Sequence, residues 1–148
     1  MTDSRSLSLT VRHTIDAAPA RVFAAWVEPR HVLKWWGPKG VACPVAEVDL
    51  RVGGRFRLAN DPPTGERIWI SGEFERISPP RELVYTWSIE PSTRTPERVT
   101  VRFEPKDDQT EVIVIHERIT DEPARVSHEA GWVGCLDGLV ALLGDQPV

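Results

Sequence analysis

From residue 7 to residue 15 apolar and polar positions alternate. Leu7, Leu9, Val11, His13 and Ile15 share one face; Ser8, Thr10, Arg12 and Thr14 share the other. That period belongs to a half-buried strand. Asp16-Ala17-Ala18-Pro19 breaks the alternation. Pro19 suits the first turn of a helix, with Asp16 or a neighbour as the cap. Arg21–Val27 then carries Val22, Phe23 and Trp26 at helical spacing and predicts a short helix that Glu28-Pro29 stops. His31–Trp36 predicts a second helical turn, ended by Gly37-Pro38.

After that the period returns to two. Val45–Val52 sets Ala46, Val48, Leu50 and Val52 against Glu47, Asp49 and Arg51, before a Gly53-Gly54 turn. Arg55–Ala59 continues it with Phe56 and Leu58 opposite Arg55 and Arg57. Ile68–Ile77, Glu82–Ile89, Glu97–Glu104 and Thr110–Ile119 predict four more strands, separated by Pro-rich and polar connections. Consecutive strands with short connections read as an antiparallel meander.

The last segment, Asp121–Leu143, has a sustained helical period. Trp132, Leu136, Leu139, Val140 and Leu143 form one stripe; Ser127, Gly131, Gly134 and Gly138 lie nearly opposite. Each interior glycine costs about 0.8–1 kcal/mol relative to alanine, so the small stripe implies that something needs the space. From Ala130 to Leu143 Asp137 is the only charge. Such a helix is expected to be covered, and a sheet face needs covering. The pattern predicts an α+β fold: a curved antiparallel sheet of seven strands, two short helices after the first strand, and a long C-terminal helix across the sheet. Residues 1–6 are polar and expected to be disordered; the rest reads as a single domain.

Composition narrows the partners. The 148 residues carry a formal net charge of −4, which disfavours nucleic acid and anionic membranes. No apolar run approaches the roughly 20 residues of a membrane helix, and the first residues lack a signal-peptide layout, so a cytoplasmic location is expected. Cys43 and Cys135 are too few for a disulfide framework and are expected as thiols. Six tryptophans beside one tyrosine point to a core or to an aromatic-lined cavity.

Several stretches in order carry a family resemblance. They are Ala18-Pro19-Ala20-Arg21-Val22-Phe23-Ala24-Ala25-Trp26, Trp35-Trp36-Gly37-Pro38 and Asp49-Leu50-Arg51-Val52-Gly53-Gly54-Arg55-Phe56. Gly72-Glu73-Phe74-Glu75-Arg76-Ile77, Pro80-Arg81-Glu82-Leu83-Val84-Tyr85-Thr86-Trp87, Gly131-Trp132 and Leu136-Asp137-Gly138-Leu139 follow. Together they resemble the activator-of-heat-shock-protein-ATPase-homologue-like family, within the START-like, birch-pollen-allergen-like superfamily. The resemblance implies the helix-grip fold from about residue 8 to 143. It implies either a ligand cavity or a link to a chaperone, and brings no catalytic motif.

His13 and His116 lie on the apolar parity of the first and last strands, which the helix-grip fold sets side by side. They are candidates for an acid/base or ligand-gripping pair; hydrogen-bonded histidines of the core or rim are the plainer reading. Trp35 and Trp36 end the second helix near the implied pocket entrance. Adjacent residues cannot share a helix face, so one is expected inward and the other over the mouth or on the surface. Phe56, Trp69, Tyr85, Trp87 and Trp132, with His116, complete the expected ligand-contacting set, against ordinary packing. Asp49 and Arg51 are expected to pair near the hairpin. Neither His116-Glu117 nor His128-Glu129 has a second histidine at the spacing of a helical zinc site, so no metal is expected. Nucleophile-elbow, P-loop and dinucleotide fingerprints are absent, and no cofactor is expected.

These observations favour non-catalytic binding of a small apolar or aromatic ligand. The cavity between sheet and last helix is expected to be dry, enclosed and at least roughly 300 Å³. One alternative is a chaperone-linked interaction module that stimulates a heat-shock ATPase. The other is a cyclase- or hydratase-like enzyme using His116 or His13. A monomer is compatible with the pattern, as is a homodimer joined through the Gly131/Gly134/Gly138 stripe.

Overall fold

A computed structural model describes residues 7–36, 41–90 and 95–144. The disordered end expected at residues 1–6, the Gly37-Pro38 break and much of the Pro91–Pro96 connection lie outside the described residues. Strand β1 (Leu7–Ile15) leads into helices α1 (Pro19–Val27) and α2 (Pro29–Trp35). Strands β2 (Ala42–Val48), β3 (Arg55–Asp61), β4 (Ile68–Ser78), β5 (Glu82–Ile89), β6 (Glu97–Lys106) and β7 (Gln109–Ile119) follow, and helix α3 (Glu122–Gly144) closes the chain. All neighbouring strands are antiparallel, in the order β1-β7-β6-β5-β4-β3-β2. Register shifts at Leu7/Leu9, Ala42/Val45 and Phe74/Arg76 bend the strands that carry them, and the sheet curves around one face. This is the expected helix-grip architecture.

The inner face holds the alternate apolar positions. Leu83, Val99, Val101, Phe103, Val112 and Val114 are fully buried. Helix α3 lies over β1 and β7 and against α2. Its large stripe is buried as the wheel predicts, with Leu136 and Leu139 at 1% and 0% exposure. Asp121 caps it, accepting from the Ala124 backbone N–H at 2.9 Å. Among the described residues no helix is long and apolar enough to cross a membrane.

Four local expectations need correction. The strand expected to reach Val52 ends at Val48, and Leu50 and Val52 are 42% and 65% exposed. The Asp49 N–H bonds Arg55 O and the Gly54 N–H bonds Arg51 O, so the turn opens earlier than expected, at Asp49, and holds Gly53 at φ 85° within it. Within that turn Arg51 Nε donates to Asp49 Oδ2 at 2.9 Å, the expected pairing. The α1 cap is Ala18, whose methyl side chain cannot cap; its carbonyl accepts from the Arg21 and Val22 N–H groups. Helix α2 ends at Trp35, and Trp36 is extended at φ −68°, ψ 141°. The constraint on adjacent helical residues therefore lapses, and Trp35 and Trp36 are both buried.

The glycines of α3 have different surroundings. A Cβ on Gly138 would sit 2.7 Å from the Trp35 carbonyl oxygen, whereas one on Gly131 would meet nothing within 4 Å. Gly138 thus lets α3 approach α2 of the same chain. Gly131→Ala should stabilise the protein by about 0.8–1 kcal/mol through helix propensity. Gly138→Ala should destabilise it by roughly 1–3 kcal/mol, because backbone must move. Paired urea melts check this; equal effects would refute the close approach.

Candidate functional site

The space between the sheet and α3 is largely filled by indole rings. Trp26 packs on Trp35 at 4.8 Å and on Trp132 at 6.1 Å between ring centroids. Trp36 meets Trp132 edge to face at 5.4 Å. Tryptophan buries a large area per side chain, so four of them consume most of the volume. What is left is a void of about 30 Å³ beside Phe56, Phe74 and Tyr85, and a cleft of about 150 Å³. Both fall short of the roughly 300 Å³ expected for the cavity.

The cleft is lined by Trp36, Trp87 and Trp132, by Ile68 and Ile70 of β4, and by His128 and Gly131 of α3, among others. Gly131, with no Cβ, leaves part of this space open. Phe56 and Tyr85 belong to the smaller void, which Trp36 also borders. Tyr85 accepts a hydrogen bond from Trp26 Nε1–H at 3.4 Å, and burial pushes its phenol pKa up. Trp35 is an anchor between α1 and α2, donating to the Ala25 carbonyl at 2.8 Å. Trp69 is not at the cleft: it is half-buried with the Arg57 guanidinium 3.8 Å over its ring. Ile70 and Phe74 carry the inner parity of β4, so Trp69 points the other way.

One end of the cleft is polar. His116 is completely buried, and its two nitrogens are both engaged. Trp132 Nε1–H donates to Nδ1 at 3.0 Å, and Nε2 lies 2.6 Å from Glu97 Oε1. An indole nitrogen is only a donor, so Nδ1 must be the acceptor and Nε2 must hold the proton given to Glu97. His128 Nε2 reaches the same carboxylate oxygen at 3.2 Å. The two imidazoles stack at 4.8 Å and 12°, and Trp87 packs edge-on against both. Burial pushes the Glu97 pKa up, but hydrogen bonds from His116 and His128 outweigh it and hold the carboxyl at about 2. Burial depresses the His116 pKa despite the neighbouring carboxylate. The ground state is therefore an ionised Glu97 beside a neutral His116.

The ligand-type atoms of Glu97, His116 and His128 lie within 4.8 Å of one another. Their wiring suits a hydrogen-bond network better than a cation. A metal on His116 Nε2 requires the other tautomer, and the Nδ1–H would then face the Trp132 N–H.

His13 and His116 are on adjacent strands but are not brought together. The register sets His13 opposite Val112 and His116 opposite Leu9. The true neighbours of His116 are Glu97, which was not among the candidates, and His128, which was weighed only for a metal. Glu97 shares the parity of Val99, Val101 and Phe103, and His128 lies one helical turn before Trp132, on the buried stripe. Those two spacings were the available signal.

With this geometry in hand, the relatives are informative. Among curated proteins none matches the chain. A solved protein of Chromobacterium violaceum is 24% identical with a TM-score of 0.85, covering 94% of this chain and 98% of that one. An AHSA1 protein of Silicibacter pomeroyi is 26% identical with a TM-score of 0.83, over 93% of this chain and 98% of that one. An HSP90 activator from Plasmodium falciparum is 25% identical with a TM-score of 0.74, over 93% and 96%. The family model described as activator of Hsp90 ATPase homolog 1-like protein matches residues 16–144. Since that match runs from just after β1 to the end of α3, the chain belongs to the activator of Hsp90 ATPase homolog 1-like family.

Proposed function

We propose that this protein binds a small apolar or aromatic molecule in the cleft between β4–β5 and the first half of α3. The observation that carries the reading is a cleft of about 150 Å³ bounded by three indoles. An apolar cavity of about this volume accepts a benzene-sized guest. The reading needs no catalytic group, and His116, with both nitrogens occupied, is unsuited to acid/base work on a ligand. Toluene is a suitable probe. It is expected to raise the melting temperature by mass action and to change tryptophan emission. Gly131→Leu, which places a side chain in the cleft, is expected to abolish both responses while the protein stays folded. A toluene response that survives this substitution, or none in the parent protein, would overturn the proposal.

A second reading rests on the family and on the Plasmodium falciparum HSP90 activator of similar fold. In it, surface side chains stimulate a heat-shock ATPase. The exposed Val126 and Val133 of α3 are natural contact points. An ATPase rate unchanged by the protein removes this reading.

A further inference from the structure

A hollow of about 180 Å³ lies where α1, α2 and the last turn of α3 meet. It is separate from the indole cleft, with which it shares no lining residue. Ala24 and Ala25 of α1, with Leu142 and Leu143 of α3, give it an apolar floor. The other side chains that line it are Arg21 of α1 and His31 and Lys34 of α2, and no described acid joins them. Helical spacing brings these groups together. Arg21, Ala24 and Ala25 stand at i, i+3 and i+4 on α1, and His31 and Lys34 at i and i+3 on α2.

The charge there is not neutralised by the protein. Ten arginines of the chain stand in ion pairs with carboxylates. Arg21 and Lys34 have no carboxylate partner among the described residues. Glu28, on the link between α1 and α2, is engaged by Arg30 at 2.9 Å and by His31 at 3.5 Å, and it does not line the hollow. The plainer account is that the two cations neutralise the carbonyl end of α3, whose last turn holds Leu142 and Leu143. That account uses the charge but not the apolar floor beside it.

An inorganic ion would also use only the charge, because apolar surface rewards only apolar surface. A flat organic anion uses both. A carboxylate accepts charge-assisted hydrogen bonds from a guanidinium and an ammonium, and an attached ring covers the floor. A cavity of about 150 Å³ accepts benzene, so about 180 Å³ has room for one ring with its carboxylate. We infer that this hollow is a second binding site, selective for a small monocyclic aromatic carboxylate. Arg21 and Lys34 hold the carboxylate, and the alanines and leucines hold the ring.

The test titrates the full chain with sodium benzoate, acetate and inorganic phosphate, following backbone amide shifts by NMR. Benzoate is expected to shift residues of α1, α2 and the end of α3. It is expected to bind roughly tenfold more tightly than acetate, the worth of burying about 60 Å² of ring, and more tightly than phosphate. Arg21→Gln and Lys34→Gln change exposed side chains, so the fold is kept, and each is expected to weaken benzoate roughly threefold to fivefold. Gly131→Leu, which fills the indole cleft, is expected to leave benzoate binding unchanged. No response to benzoate, or one that neither substitution weakens, overturns the site. Loss of the response in Gly131→Leu places benzoate in the indole cleft and equally overturns it. Phosphate binding as tightly as benzoate overturns the aromatic assignment.

Discussion

Gly72→Ala is expected to lower the melting temperature by roughly 6–12 °C, or to deny the chain a stable fold. A methyl group at Gly72 would stand 1.8 Å from the Thr86 carbonyl oxygen and 2.6 Å from Phe56 Cε2. The Phe56 ring can turn; the Thr86 carbonyl belongs to β5 and cannot leave without opening the sheet. Phe56 is the cross-strand partner of Gly72 on β3, so its ring covers the place a side chain would take. Forcing atoms into such a site costs about 3 kcal/mol or more. For a chain of this length, each kcal/mol is worth about 2–4 °C. Thermal melts of the purified variant check the figure, and a change below about 2 °C would contradict the close approach of β4 to β5.

Glu97→Ala ranks second, with an expected loss of about 2–4 kcal/mol. It leaves the His116 Nε2–H without an acceptor in a fully buried position, and it frees His128 from its carboxylate. One orphaned buried donor costs about 1–3 kcal/mol. Glu97→Gln, whose amide oxygen still accepts, should recover much of the loss. The same network makes the fold acid-labile. The His116 pKa lies below its ordinary 6.5, so on acidification the unfolded chain takes this proton first. Stability from this source is complete above pH 6.5 and drains as pH falls below it. Glu97, held at about 2 against an ordinary 4.5, adds a second loss as pH falls from 4.5 toward 2. Denaturant titrations across pH should show both limbs, with His116→Gln flattening the upper and Glu97→Gln the lower. A melting temperature independent of pH between 7 and 4 would refute the assigned protonation states.

The architecture was legible because periodicity is a long-range signal. Alternation from Leu7 to Ile15 and from Thr110 to Ile119, and the helical stripe from Trp132 to Leu143, left little choice of element. Errors arose where one residue decides. The chain leaves the β2 ladder at Asp49 through backbone bonds that hydropathy does not register, so Leu50 and Val52 read as buried. Trp36 escapes helical geometry by a single step beyond Trp35. At the site, Trp36, Trp87, Trp132 and His116 were anticipated and come together. Glu97 was not, because an acid at the start of a strand resembles an exposed end. Its burial depends on two histidines that arrive 19 and 31 positions later. The large cavity failed for a steric reason. Tryptophans able to line a space are also large enough to fill it.

The Gly138 contact has a mechanical consequence. Where α3 passes the Trp35 carbonyl it is clamped to α2, and Trp132, Leu136, Leu139 and Leu143 are buried. Its opening turns hold on through Ala124, packed against the core, and His128, and Gly131 has open space around it. The helix is thus a cantilever, built in at its C-terminal half and lightly propped at the other. Deflection concentrates ahead of Gly131, beside the cleft. The guest proposed for the cleft would enter by lifting these opening turns while the sheet and the tryptophan cluster stay still.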